Sequence, residues 1–408
     1  MDYFQYKNNV LYAEDINLLD VAEKVKTPFY LYSKKTILRH FHQIKEAFKT
    51  IDPLICFSVK TNFNIEVLKI LKNSGAGFDI VSGGELYLTQ KVKASPQKIV
   101  YAGVGKTADE IRYAIQTGIL MFNCESIPEM RLMDHIAGKM NKTVSVAVRI
   151  NPDITPRTHE YIITGKKETK FGISIYEIDK IIRALRTCSH LRLKGLHFHI
   201  GSQITETSPY EKALEKVIKL VPSLRQAGFP VEYFNIGGGL GIIYKKEKVS
   251  LPHKLAKKII PVLKKHDLKM IMEPGRYIVG NAGILVTRIS YIKQSLNKKF
   301  VIVDAGMQTL IRPTLYTAYH EILPLKKSIK TFKVDVVGPI CETGDFFARD
   351  RKIPVVHQNE FLAIKGAGAY GMVMASRYNA HPFPAEILVD NDRFKIVKKA
   401  QTYRDLLT

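Results

Sequence analysis

Between residues 54 and 272 the sequence changes texture eight times in the same way: a short apolar run is followed by a longer stretch of helical period. The runs are LICFSV (54–59), FDIV (78–81), KIVY (98–101), ILMF (119–122), VSVAVR (144–149), LKGLHFHI (193–200), VEYFNI (231–236) and LKMIM (268–272). Apolar runs of this length, separated by helices, read as parallel strands buried on both faces. Helix signals agree: one segment starts at Asn64 with Gly75 as its terminator, another at Ser82. Eight such units predict a closed (β/α)8 barrel. After residue 283 the segments ILVTRISYIKQ, KFVIVDAGM, DVVGPIC, FLAIKGAGAY, AEILVD and FKIVKK are β-branched, alternate in polarity and are separated by turn residues. They predict a second, mostly antiparallel β domain. The expected division is a barrel over residues 29–282 and a β-rich domain from 1–28 plus 283–408. A chain of 408 residues is longer than one hydrophobic core usually supports, which fits two domains.

In a barrel, chemistry collects at the C-terminal ends of the strands. Those ends carry Lys60, Asp79, Arg149, His197 and His199, the glycines 237–239, Glu273 and Arg276. A lysine closing an apolar strand loses hydration, which favours the neutral, nucleophilic amine. The run NIGGGLG (235–241) follows the seventh strand, where backbone amides in barrels often reach a phosphate; a tight turn is the plainer alternative. EPGR (273–276) offers a carboxylate for a protonated ring nitrogen and an arginine for an anion, or else a surface ion pair in a turn. His197 and His199 alternate onto one face of their strand, as metal ligands in a hydrolase would. The neighbouring strand ends supply lysine, arginine and glycine in place of further histidines. An imidazole stacked on a flat cofactor, with Ser202 near a phosphate, suits them better. Together these groups describe a site for pyridoxal phosphate.

Composition narrows the partners. The net charge of +24 invites nucleic acid, but the lysines are scattered as short pairs without interleaved aromatics, so a solvated surface and no nucleic-acid partner are expected. No run of about 18 apolar residues occurs and MDYFQYKNNV lacks a signal-peptide pattern, so the expectation is no membrane association and a cytoplasmic protein. Cys56, Cys124, Cys188 and Cys341 are far apart, as free thiols in a reducing compartment are. YAGVGKT (101–107) ends like a phosphate-binding P-loop, but the first glycine of that pattern would fall on Val100, and nucleotide binding there is rejected.

The motifs resemble those of the diaminopimelate decarboxylases, which pair an alanine-racemase-like barrel with a β domain. The resemblance runs from PFYLYS (28–33) through FSVKTN (57–62), FDIVSGGEL (78–86), HEYIITGKKETKFGI (159–173), HFHIGS, NIGGGLG and EPGRYIV. It continues through DAGM (304–307), RPTLY (312–316), CETGD (341–345), GAYG (368–371) and AEILVD (385–390). It implies that Lys60 binds pyridoxal phosphate covalently, that His199 stacks on its ring and that Glu273 pairs with the ring nitrogen. Further cofactor contacts would come from Asp79, Arg149, Ser202, Gly237, Gly238, Gly239, Gly275, Arg276 and Tyr370. Arg276, Arg312, Tyr316, Glu342 and Tyr370 would surround an amino-acid substrate, Arg312 and Glu342 reading its distal carboxylate and ammonium. Cys341 would protonate the α carbon, and no metal is implied. A homodimer is implied too, with CETGD reaching the partner's site. The chain departs from the family at Gly103-Val104-Gly105-Lys106, where Asn-Asn-Lys is usual, and at His381 before Pro382, where arginine is common. Rival readings are a sister decarboxylase for ornithine, arginine, lysine or carboxynorspermidine, a noncatalytic pyridoxal phosphate carrier, and the metal-dependent hydrolase.

Overall fold

The computed structural model describes residues 2–155, 164–165 and 169–407. The chain forms two compact units, one of Phe41–Gly241 and Lys248–Tyr277, the other of Met1–His40, Ile242–Glu247 and Ile278–Thr408.

The first unit contains the barrel. Its strands are β1 (Leu54–Ser58), β2 (Gly77–Ile80), β3 (Ile99–Tyr101), β4 (Met121–Cys124), β5 (Val144–Asn151), β6 (Leu191–His197), β7 (Tyr233–Asn235) and β8 (Lys269–Met272). Each pairs in parallel with its successor, β8 pairs with β1, and β4 with β5, so the sheet closes on itself. A short strand, Ile173–Ser174, adds to β5. The helices between strands are capped as their sequences require: Asn64, Ser82 and Ser126 each accept a backbone N–H of the first turn, and Thr107 with Glu110 forms a capping box.

The strand bounds shift from the expected runs by up to three residues, as at β4 and β6. β4 starts two residues late, because Gly118 ends the preceding helix in a left-handed turn and Leu120 N–H is taken by Pro96 and Ile99. β6 stops at His197, paired with Arg149 and Asn235, while β5 continues to Asn151 alongside Ile173–Ser174, so His199 lies beyond the strand.

Side-chain alternation builds the barrel interior in layers. Cys56, Val100, Met121, Ala147 and Ile271 pack together as an apolar floor. Two residues further along the respective strands come Ser58, Asn123, Arg149 and Glu273, and the same spacing carries Gly77 to Asp79, Gly195 to His197 and Tyr233 to Asn235. All seven of these polar side chains are buried. A polar layer thus sits directly above an apolar one.

The second unit is mostly antiparallel, as expected. Its main sheet runs Phe346–Pro354, Thr331–Val337, Lys298–Val303, Gly283–Ser295, Phe29–Ser33, Ala385–Asp390, Arg393–Lys398, with Phe361–Lys365 also paired to Gly283–Ser295. Phe29–Ser33, placed by sequence at the start of the barrel, is fully buried here between Gly283–Ser295 and Ala385–Asp390. An all-apolar strand suits a sheet covered on both faces as well as it suits a barrel, and periodicity does not tell the two apart. The first residues form a three-stranded sheet of their own, Phe4–Lys7, Val10–Ala13 and Ile16–Asn17.

Candidate active site

Lys60 stands in the single helical turn Val59–Thr61 that follows β1, its side chain about one-third exposed, and donates to Asp79 Oδ2 at 2.9 Å. Ser58 Oγ donates to the same oxygen at 2.6 Å. Asp79 is wholly buried, and its Oδ1 accepts no hydrogen bond. Burial and the nearby Glu273 raise its proton affinity, while Lys60 and Ser58 oppose them.

Glu273, immediately after β8, is a second buried carboxylate. Its Oε1 accepts from Asn235 Nδ2 at 2.6 Å and from Asn123 Nδ2 at 2.8 Å, and His197 Nε2 lies 3.3 Å from Oε2. Burial alone would raise its pKa, but His197 beside it, with Lys60, holds the carboxyl well below the usual range. Neither ring nitrogen of His197 makes a hydrogen bond of good geometry. A carboxylate kept ionised in a dry layer, next to an amine on a partly open strand end, is what ring-nitrogen recognition and amine chemistry need.

The glycine run after β7 is built into this layer. Asn235 Oδ1 accepts from Gly237 N at 2.9 Å, Gly237 O accepts from Glu273 N at 2.9 Å, and Gly238 N donates to His199 Nδ1 at 3.1 Å. The amides of Gly237 and Gly238, expected to reach an anion, are thus taken by protein acceptors. A Cβ at Gly238 would collide with Glu273 O, and one at Gly239 (φ +101°) with Gly201 O. Tyr210 OH closes the far side, donating to Gly238 O at 2.7 Å.

His199 accepts at Nδ1, so its proton resides on Nε2; burial, Arg149 and Lys60 all depress its pKa, and the ring is neutral. It does not share a target with His197, which faces Glu273. Among the described residues no three His, Cys, Asp or Glu side chains gather as a metal-binding group. Arg149 donates to Glu125 Oε1 at 2.7 Å and to His199 O at 3.3 Å. Arg276 is buried and reaches Ser202 Oγ through Nε at 3.3 Å and Nη2 at 3.1 Å. Gly275, the residue before Arg276, admits no side chain, since a Cβ would strike Thr61. The segment 156–163 with 166–168, including His159 of HEYIITGKKETKFGI, lies outside the described residues; Thr164 Oγ1 donates to His199 O at 2.9 Å. Lys106 of YAGVGKT is buried and bonds only within the barrel unit, to Gly103 O, Asn123 O and Glu129.

The remaining candidates belong to the β unit. Arg312 is buried; its Nε donates to His320 Nε2 at 3.3 Å, and its guanidinium carbon lies 5.2 and 5.9 Å from the ring centres of Tyr244 and Tyr316. His320 Nδ1 donates to Lys365 O at 2.8 Å, which fixes the tautomer that accepts from Arg312. Thr314 Oγ1 donates to Gly344 O at 2.6 Å, joining the short helix Arg312–Tyr316 to the 341–345 segment. There Cys341 is exposed and its Sγ lies 3.5 Å from Asn379 Oδ1, while Glu342 accepts from Tyr378 OH at 3.0 Å. Asp345 pins the segment, accepting from Met307 N and Ile340 N. Tyr370 holds φ at 56°, a strained backbone for a tyrosine.

Sequence reasoning missed Ser58, Asn123, Asn235 and Glu125, and did not pair His197 with Glu273. The signal was present: each is a polar residue in or just after an apolar strand, two positions along from a floor residue in the cases of Ser58, Asn123 and Asn235.

Comparison with known proteins adds the family. Residues 34–280 match the model of the pyridoxal-dependent decarboxylase, pyridoxal binding domain. The diaminopimelate decarboxylase of Aquifex aeolicus is 48% identical, the match covering 98% of this chain and 96% of the relative. That of Haemophilus influenzae is 40% identical, covering 100% and 98%. The crystal structure of diaminopimelate decarboxylase from Helicobacter pylori complexed with L-lysine superposes with a TM-score of 0.93 at 39% identity, covering 96% of this chain and 98% of that one. The barrel residues fit pyridoxal phosphate on their own chemistry: an amine paired with Asp79, a carboxylate held ionised, a neutral imidazole, an arginine with a serine, and buried polar atoms of Asp79 and His197 that lack hydrogen bonds. The chain belongs to the pyridoxal-dependent decarboxylases and, among them, to the diaminopimelate decarboxylases.

Proposed function

We propose that the protein removes the carboxylate from the D-configured centre of meso-2,6-diaminopimelate, releasing carbon dioxide and L-lysine, the last step of lysine biosynthesis. The observation that carries this reading is the polar layer of the barrel, where Lys60 is paired with buried Asp79 and Glu273 is held by two asparagines and His197. Pyridoxal phosphate, when bound, supplies a pyridinium ring that accepts the electron pair left as the bond from Cα to the carboxylate breaks. Lys60 would hold its aldehyde carbon, Glu273 its ring nitrogen, and Ser202 and Arg276, with Gly239 and Gly275, its phosphate; Tyr370 of the β unit would be a further cofactor contact. Glu273, ionised by its surroundings, favours a proton on any ring nitrogen that faces it. His199, turned by the Gly238 amide, offers a flat neutral face for stacking.

On the β unit, the exposed thiol of Cys341 delivers a proton to Cα in place of the departing carbon dioxide. Arg312 and Glu342 read the substrate's distal carboxylate and ammonium, and Tyr316 flanks Arg312. The chain works as a cytoplasmic homodimer in which the 341–345 segment of one subunit serves the barrel of its partner. Among the described residues no helix is long and apolar enough to cross a membrane. The L-lysine complex of the Helicobacter pylori relative supports this product.

The test is release of carbon dioxide and lysine from meso-diaminopimelate beside ornithine, arginine and lysine under the same conditions. Diaminopimelate should be turned over fastest; faster decarboxylation of any monocarboxylate would assign the chain to a sister activity.

A further inference from the structure

The segment at 101–107, which ends like a P-loop in sequence, carries a lysine whose side chain is completely shielded from solvent. Lys106 Nζ makes three hydrogen bonds, to Glu129 Oε1 at 2.6 Å, Gly103 O at 2.8 Å and Asn123 O at 2.9 Å. Three acceptors satisfy every N–H of an ammonium, and a lysine this deeply buried is tolerated only when so paired. Two of the acceptors are backbone carbonyls, which a simple charge pair with Glu129 would not require.

The partners lead to the polar layer by two routes. Asn123, whose carbonyl Lys106 holds, donates its side-chain amide to Glu273 Oε1 at 2.8 Å. Glu129 accepts from Glu125 N at 2.7 Å, and the Glu125 carboxylate holds Arg149, which bonds His199 O. Gly103 N and Gly172 N also donate to Glu125, at 3.2 and 3.0 Å. One cation therefore secures the end of β4 beneath Glu273 and the carboxylates that orient Arg149.

We infer that Lys106 is a positioning residue for the cofactor-binding layer, acting through Asn123 on Glu273 and through Glu129 and Glu125 on Arg149. The inference rests on the function proposed above. A buried ion pair that served stability alone would be replaceable by a neutral pair of similar shape. The carbonyl bond to Asn123 would not be replaced by such a pair.

The experiment compares the wild-type holoenzyme with Lys106→Met and with Lys106→Met/Glu129→Gln, which removes the stranded carboxylate. Three quantities are measured: melting temperature, pyridoxal phosphate affinity by equilibrium dialysis, and kcat and KM. The single variant should melt lower, whereas the double variant should recover most of the loss. Both should hold the cofactor about tenfold more weakly, with kcat down roughly tenfold and KM within about twofold. The pH midpoint of the bound cofactor's visible absorbance should move by about half a unit in both. If the double variant regains cofactor affinity, absorbance midpoint and kcat together with its melting temperature, Lys106 is only a charge partner and the inference is overturned. A wild-type protein that binds no pyridoxal phosphate would instead overturn the function on which it rests.

Discussion

A carboxylate with no exposed surface must be paired or protonated, and Asp79 is paired with the one amine at the strand ends that a cofactor aldehyde would also claim. Lys60→Ala should abolish covalent attachment of pyridoxal phosphate, with no peptide labelled at position 60 after borohydride reduction. Cys341→Ala should keep the bound cofactor's colour and lose most turnover, since the groups proposed to hold the ring, Lys60, His199 and Glu273, keep their own contacts within the barrel unit. Glu85 gives a prediction about pH. Burial pushes its carboxyl up to about 7 from 4.5, against the pull of Lys60 and the Val81 amide. The folded protein thus binds this proton more tightly than the unfolded chain, so stability falls as pH rises from about 4.5 to about 7 and levels off above. Glu85→Gln, whose amide oxygen can still accept from Val81, should be about 3 kcal/mol more stable than wild type at pH 8 and equal to it near pH 4.5. Denaturant unfolding across that range checks it, and a gap that does not change with pH would refute it. Lys60 and Glu273 were legible in the sequence because a charge ending an apolar strand is rare. Asn123 and Asn235 were not, because an amide there reads equally as a turn or cap residue until its partner across the barrel is known.

Short elements hold the site's geometry in both units. In the β unit, Asp345 accepts from Met307 N at 2.6 Å and Ile340 N at 2.7 Å, so one carboxylate joins the DAGM and CETGD loops. Gly306 and Gly338 let it approach, since a Cβ on either would crowd its oxygens. Asp345→Asn would turn an amide N–H toward a backbone N–H, costing about 2 kcal/mol. It should also release Cys341 from its loop, so that turnover falls several-fold in protein that still binds cofactor; unchanged kcat would show that the clamp is dispensable. Element identity was readable from periodicity, and each of the eight barrel strands overlaps its expected run. Ends were less so. β6 stops at His197, where β7 ends at Asn235 and the last two residues of β5 pair with Ile173–Ser174 instead, which no property of LHFHI itself encodes. That three-residue difference puts His199 in a loop where the Gly238 amide sets its ring.

At the level of the whole molecule, the proposed dimer makes the sharpest prediction. If the 341–345 segment completes a partner's barrel, mixing inactive Lys60→Ala and Cys341→Ala proteins under exchange should restore activity to about a quarter of wild type, because half the dimers carry one intact site. No recovery despite demonstrated subunit exchange would place each site within a single subunit. The order of residues was enough to determine a barrel and a β domain, because strand and helix periods are local and each apolar run must be buried somewhere. It also located the amine, the carboxylate and the arginine, whose chemistry shows wherever they stand. Folding alone decided which unit claims Phe29–Ser33, that Asn123, Asn235 and His197 converge on Glu273, and that Lys106 lies beneath them. Those outcomes depend on contacts between strands far apart in the chain, and closure of the sheet is what brings them within bonding distance.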